Sequence, residues 1–252
     1  MEVPYLRIAS KANLDGTYGA CCAEMDIWEA NNAATAWTPH TCNITGVYRC
    51  SEPQCGDKSR FESLCDKEGC DFNSYRNGAQ TFYGPGSTFA VDTTKPFTVV
   101  TQFITTDGTA TGQLKEIRRF YVQNGKKIPE AKVNVPGITA TNVMTDEYCS
   151  VQKSVFGGPA APNAFKTQGG MKGMSESLKR GMVLAMSIWE DAGSNMGWLD
   201  STFPTDADPR LPGVKRGPCS ITSGSPADIL AHNSDAAVVF SKIRVGDIGT
   251  TA

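Results

Sequence analysis

The segment Phe97 to Thr105, FTVVTQFIT, places Phe97, Val99 and Phe103 on one side of an extended chain, with polar Thr98 and Gln102 on the other. Successive side chains on a strand alternate between faces, whereas a helix would scatter this pattern, so the segment reads as a half-buried strand. Ile117 to Val122 repeats the signal and is followed by Asn124-Gly125 and then Lys126 to Ile128. Both turn residues tolerate positive φ, which predicts two strands joined by a tight hairpin. Gly181 to Trp189 (GMVLAMSIW) is apolar enough for a central strand, and Ala236 to Val245 (AAVVFSKIRV) alternates again. Met171 to Arg180 alone reads as a helix, and a short one. Long polar stretches at Thr41 to Tyr75 and Ser201 to Gly224 read as loops. The expected fold class is all-β, two packed sheets carrying long loops, within one domain spanning 1–252.

Charge narrows the partners. The 24 basic and 26 acidic residues leave a net charge of −2, with no long run of either sign, which disfavours nucleic acid and anionic membrane surfaces. A neutral or weakly charged substrate fits better. The longest apolar stretches, such as Met182 to Ile188, are too short to span a bilayer, and Met1 to Ser10 lacks the basic start and apolar run of a signal peptide. Nine cysteines are many for a reducing compartment and point to disulfides. Zinc is the rival reading, but no pair stands as CxxC and the histidines are only His40 and His232. No metal and no cofactor is expected. Asn43-Ile44-Thr45 is a glycosylation sequon that suits an oxidising compartment.

The stretch CCAEMDIWEAN, Cys21 to Asn31, places Glu24, Asp26 and Glu29 around Trp28. Glycosidic bond cleavage needs one carboxyl to protonate the leaving oxygen and a second to attack the anomeric carbon or activate water. Adjacent carboxylates push their protonation equilibria apart, so one can hold a proton while its neighbour stays ionised. Asp26, between the other two, could hydrogen-bond to one of them. Regular pleating puts Glu24 and Asp26 on one face but Glu29 on the other, and a helix also separates Glu24 from Glu29. The catalytic reading therefore requires a bulge here. The competing reading is a surface strand with solvated acids and Ile27 and Trp28 in the core.

The stretch GACCAEMDIWEAN, with TPHTC downstream, resembles the active-site strand of glycoside hydrolase family 7, the cellobiohydrolases and endoglucanases that attack β-1,4-glucan. The likeness continues through CDKEGCDFNSYR, FYGPGSTFAVDTTKPFTVVTQF, RRFYVQNGKKIP, GMVLAMSIWEDAGSNMGWLDSTFPTD and VKRGPCSITSGSPADI, from about Ala12 onward. It implies a concanavalin A-like β-jelly-roll sandwich and hydrolysis with retention of configuration. By the same resemblance Glu24 is the nucleophile, Glu29 the acid/base, and Asp26 the carboxyl that supports the nucleophile. His40 matches a histidine lining the site. Trp189 and Trp198 match tryptophans on which glucosyl rings stack, whereas without the resemblance Trp189 would read as core. Arg60, Glu68, Asp71, Arg76 and Arg216 match polar residues that hold sugar hydroxyls, chiefly on the product side.

The sequence also departs from the family pattern. The active-site strand lies near mid-domain in the family and near the N-terminus here, so an N-terminal portion is expected to be missing. The family pattern implies Cys42 paired with Cys65, Cys50 with Cys55 and Cys70 with Cys149. Cys21, Cys22 and Cys219 would then pair with upstream cysteines and remain unpaired in this chain. The retained loops VYRCSEPQCGDKSRFESLCDKEGCD and STFPTDADPRLPGVKRGPC favour a cellobiohydrolase over an endoglucanase, with a partly open roof. No linker or cellulose-binding module is expected after Ala252. The expectation is a secreted, monomeric enzyme acting on cellulose or cello-oligosaccharide from chain ends.

Overall fold

A computed structural model describes residues 17–58 and 60–251, so the Met1 to Ser10 reading lies outside the described residues. The strands, in chain order, are β1 (Gly19–Cys21), β2 (Glu24–Ala30), β3 (Thr35–His40), β4 (Tyr48–Cys50), β5 (Tyr83–Gly84), β6 (Val91–Asp92), β7 (Thr98–Thr105), β8 (Leu114–Gln123), β9 (Lys126–Pro129) and β10 (Val143–Met144). Five short helices accompany them: α1 (Asp146–Gly157), α2 (Ala164–Thr167), α3 (Gly170–Arg180), α4 (Gly197–Asp200) and α5 (Pro226–His232). Strands carry the framework, in keeping with an all-β fold.

The largest sheet is built on β8, which pairs antiparallel with β7 along one edge and with β9 and β10 along the other. The turn between β8 and β9 uses Asn124 at φ 53° and Gly125 at φ 72°, the two left-handed residues that an Asn-Gly hairpin requires. Ile117 and Tyr121 of β8 are fully buried. The main core gathers Trp37 of β3, Phe72, Ile117, Met144, Phe165, Met171 and Met174. Trp37 stacks on Phe72 with ring centroids 5.0 Å apart, and Phe72 meets Tyr148 at 5.1 Å.

Alternation alone misses α1, although its start is written in local chemistry. The Thr145 hydroxyl caps the helix by accepting from the Tyr148 N–H at 3.1 Å, and Asp146 and Glu147 in the first turn face the positive end of the helix dipole. Its inward face carries Tyr148, Cys149 and Gln152. The Cys70–Cys149 disulfide ties α1 to the loop beside β3, while Cys42–Cys65 and Cys50–Cys55 close shorter loops. Cys21, Cys22 and Cys219 are thiols.

Two expected strands do not form. Gly181 to Trp189 and Ala236 to Val245 belong to no ladder among the described residues. Val183 and Val245 are 94% and 96% exposed. A strand exists through hydrogen bonds to a neighbour, and apolar alternation states what a segment can bury without supplying the edge it pairs with. The four-stranded sheet and the three two-stranded sheets among the described residues engage other segments.

Candidate active site

The acidic stretch forms β2, which runs antiparallel to β3. Glu24 lies opposite His40, Asp26 opposite Thr38, and Glu29 opposite Ala36, with a shift of register between Asp26 and Glu29. One extra residue in β2 is therefore taken up across Ile27 and Trp28, which is a bulge. His40, Thr38 and Ala36 alternate by two and share a face of β3. Their cross-strand partners Glu24, Asp26 and Glu29 consequently share that face as well.

Hydrogen bonds fix the acids in place. The Thr38 hydroxyl donates to Oε2 of Glu29 at 3.3 Å, and Asp26 Oδ2 lies 3.1 Å from His40 Nε2. The Asp66 carbonyl lies 2.8 Å from His40 Nδ1 and can only accept, so Nδ1 carries a hydrogen. Nε2 is the ring nitrogen that faces the Asp26 carboxyl. Glu24, Asp26 and His40 offer ligand atoms all within 4.8 Å of one another. That spacing also suits a divalent cation, but cleavage between two carboxyls requires none.

The loop from Asp66 to Phe72 is laddered to β3: the Asp66, Cys70 and Phe72 N–H groups donate to the carbonyls of Thr41, Pro39 and Trp37. Gly69, at φ 67°, lies so close to the site that an added Cβ would stand 2.2 Å from a Thr38 methyl and 2.7 Å from the His40 ring. Only glycine fits both the backbone and the contact. Burial pushes the Asp66 carboxyl above its usual range, against the opposing influence of His40 and Lys153. Thr38, Asp66 and Gly69 were not singled out by sequence reading. The motif CDKEGC offers a glycine between two cysteines as a signal, but nothing in it reveals the contact with β3.

The polar residues expected on the product side form a second cluster. Asp71 pairs with Arg76, whose Nε donates to the Gly213 carbonyl at 2.9 Å and whose guanidinium lies 4.4 Å from the Phe156 ring centroid. Burial alone would raise Asp71, yet Arg76, Arg216 and Lys153 together hold it below the usual carboxylate range. Glu68 binds Lys153 of α1 at 2.6 Å. Arg216 packs over Phe203 and reaches the Trp198 carbonyl at 3.4 Å. Trp189 and Trp198 stack on one another, with centroids 6.0 Å apart and planes 20° from parallel, so they share one platform. Arg60 stands apart in an exposed loop, donating to the Lys67 carbonyl at 3.3 Å.

Solved structures share this arrangement of backbone. A cellobiohydrolase of this family from Daphnia pulex is 54% identical with a TM-score of 0.83, over 86% of this chain and 48% of that one. The Melanocarpus albomyces cellobiohydrolase complexed with cellotetraose is 38% identical with a TM-score of 0.78, over 88% of this chain and 49% of that one. The Humicola insolens endocellulase EGI is 42% identical with a TM-score of 0.71, over 87% of this chain and 48% of that one. The chain thus spans about half the length of the structures it matches. The sequence model described as glycosyl hydrolase family 7 matches residues 7–252, and the chain belongs to that family.

Proposed function

We propose that this chain carries the catalytic carboxyls of a retaining glycoside hydrolase acting on β-1,4-glucan. The observation that carries the reading is the bulge in β2, which brings Glu24, Asp26 and Glu29 onto one face across from His40. In this reading the Glu24 carboxylate attacks the anomeric carbon while Glu29 gives its proton to the departing glycosidic oxygen. A glycosyl ester forms on Glu24 and the carbon–oxygen bond to the leaving sugar breaks. Glu29, now ionised, takes a proton from water as that water attacks the same carbon, which frees Glu24 and restores the configuration.

The other side chains position these two. Thr38 orients Glu29 through its hydroxyl. Asp26, facing His40, lies beside Glu24 and supports the nucleophile's carboxyl from that side. The platform of Trp189 and Trp198 offers an aromatic face to the apolar face of a pyranose, and Asp71, Arg76 and Arg216 offer groups for sugar hydroxyls.

Related cellobiohydrolases and endocellulases both resemble this chain, and the retained loops support the chain-end mode, with release of cellobiose, over internal cleavage. The sandwich expected of the family would be of jelly-roll type, with 1–252 as the later part of one catalytic domain. Secretion fits the three disulfides. Hydrolysis of a soluble aryl cellobioside, with Glu24→Gln as control, tests the assignment. Turnover that vanishes in the variant supports it; equal turnover in both proteins removes Glu24 from the role of nucleophile. A second reading, a glucan-binding chain without turnover, is favoured by the aromatic platform, which needs no carboxylate to bind sugar. Binding of cello-oligosaccharide without any hydrolysis would select it.

A further inference from the structure

The tripeptide Asn43-Ile44-Thr45 plays no part in the acidic site, and no other asparagine of the chain stands in an Asn-X-Ser/Thr setting. It lies on a bend between the Cys42–Cys65 bridge and β4. The Asn43 N–H donates to the Leu64 carbonyl at 3.0 Å, and Ile44 packs against the cluster of Cys21, Cys42, Cys50, Cys55 and Cys65. With its first residue held by the backbone and its middle residue turned inward, the tripeptide presents Asn43 and Thr45 to water, and both are exposed. Gly46 follows at φ 75°, and a Cβ built there would meet nothing within 4 Å, so the end of the bend faces open space.

An asparagine at a turn ordinarily serves the turn, its side-chain oxygen accepting from a backbone N–H two or three residues on. Asn31, Asn73 and Asn163 do this, toward Ala33, Arg76 and Lys166. Neither the Asn43 carboxamide nor the Thr45 hydroxyl makes a hydrogen bond among the described residues. Turn chemistry therefore does not account for Asn43, whereas a sugar acceptor needs what this bend provides: an open amide nitrogen, a hydroxyl two residues on, and a surface loop. Val47 and Tyr48, just beyond, are 73% and 41% exposed, apolar surface that a hydrophilic branch nearby would shield.

We propose that Asn43 is an N-glycosylation site, with its glycan standing outward at the base of the loop closed by the Cys42–Cys65 bridge. The donor is an oligosaccharide carried on a polyprenyl diphosphate. A bond forms between Nδ2 of Asn43 and the anomeric carbon of the first sugar, and the carbon–oxygen bond to the diphosphate breaks. One amide hydrogen leaves as a proton and the diphosphate departs as the anion. The inference rests on the secretion reading and is independent of the hydrolytic one.

The test is expression of the full chain behind a cleavable secretion leader in yeast, followed by peptide mass spectrometry of the leader-cleaved product. The expected result is an oligosaccharide on Asn43, lost in Asn43→Gln and in Thr45→Ala and kept in Thr45→Ser. Transfer precedes folding, so a variant that folds poorly still reports. An endoglycosidase should release the glycan from the native chain as readily as from the denatured one, because the bend faces water. Leader-cleaved chain with its disulfides formed and Asn43 bare overturns the site while leaving secretion intact. A glycan that survives Thr45→Ala, or one released only after denaturation, also overturns it. A glycosylated chain without hydrolase activity counts against the hydrolytic reading and leaves the site standing.

Discussion

β3 and the stretch Met182 to Ile188 are both short, and β3 is the more polar of the two, yet it is β3 that is buried. Every residue of β3 is buried, with β2 on one edge, the Asp66 to Phe72 loop on the other, and Trp37 inserted between Phe72 and the β8 layer. Met182 to Ile188 has no ladder and presents its valine, leucine and isoleucine to water. The lesson is that hydrophobic pattern sets a capacity for burial, while membership in a sheet is conferred by neighbours remote in sequence. The site sits where those neighbours are all present.

The sharpest way to break the contrast is to loosen what surrounds β3. The Cys70–Cys149 bridge joins residues 79 apart, and loop-closure entropy at that span amounts to about 4.5 kcal/mol. Replacing both cysteines with alanine should cost about that much in urea unfolding. The Cys50–Cys55 bridge, five residues apart, should cost only about 2 kcal/mol on the same scale. Trp37→Ala, at a position with no exposure, should cost about 4 kcal/mol through lost burial and the cavity left behind. Gly69→Ala should cost about 2 kcal/mol, because the left-handed backbone and the contact with His40 both resist a Cβ, and it should also impair hydrolysis.

Acid titration separates two carboxyls of one loop. Asp71 is held below its unfolded range, so its contribution is present at neutral pH and is lost as pH falls from about 4 through the lower folded value. Asp66 is raised, so the folded state gains from its proton at low pH and that gain disappears as pH rises through the folded value. Asp71→Asn should therefore destabilise at pH 7 and converge with the parent once pH falls below the lowered folded value, as followed by thermal unfolding across pH. Asp66→Asn should do the reverse, matching or exceeding the parent at pH 7. The smallest effect belongs to the open stretches: Val183→Ser and Val239→Ser should each change the stability of the isolated chain by less than about 0.5 kcal/mol.

The hairpin at Asn124-Gly125 was legible because turn chemistry and alternation are local, and the structure supplies the positive φ values that this dipeptide announces. The acid trio was half legible. Spacing alone set Glu24 and Glu29 on opposite faces, and only the demand for a shared face implied the bulge that the register displays. Helix α1 is not legible from period-two alternation, although Thr145, Asp146 and Glu147 mark its start. Gly69, Thr38 and Asp66 could not be assigned from spacing, since their importance lies in the approach of a loop to β3 across nearly thirty residues. The stretches Gly181 to Trp189 and Ala236 to Val245 were read correctly as apolar and wrongly as strands, for want of the edges they would join.

The central claim is that β2 presents Glu24 as the nucleophile on the face it shares with Asp26 and Glu29. Incubation with a 2-fluoro cellobioside bearing an activated leaving group, followed by peptide mass spectrometry, tests it directly, because a slowed second step leaves the sugar bound to the attacking carboxylate. A glycosyl ester on Glu24 is the predicted result. A folded chain that stays unlabelled, or one labelled at Asp26 or Glu29, contradicts it.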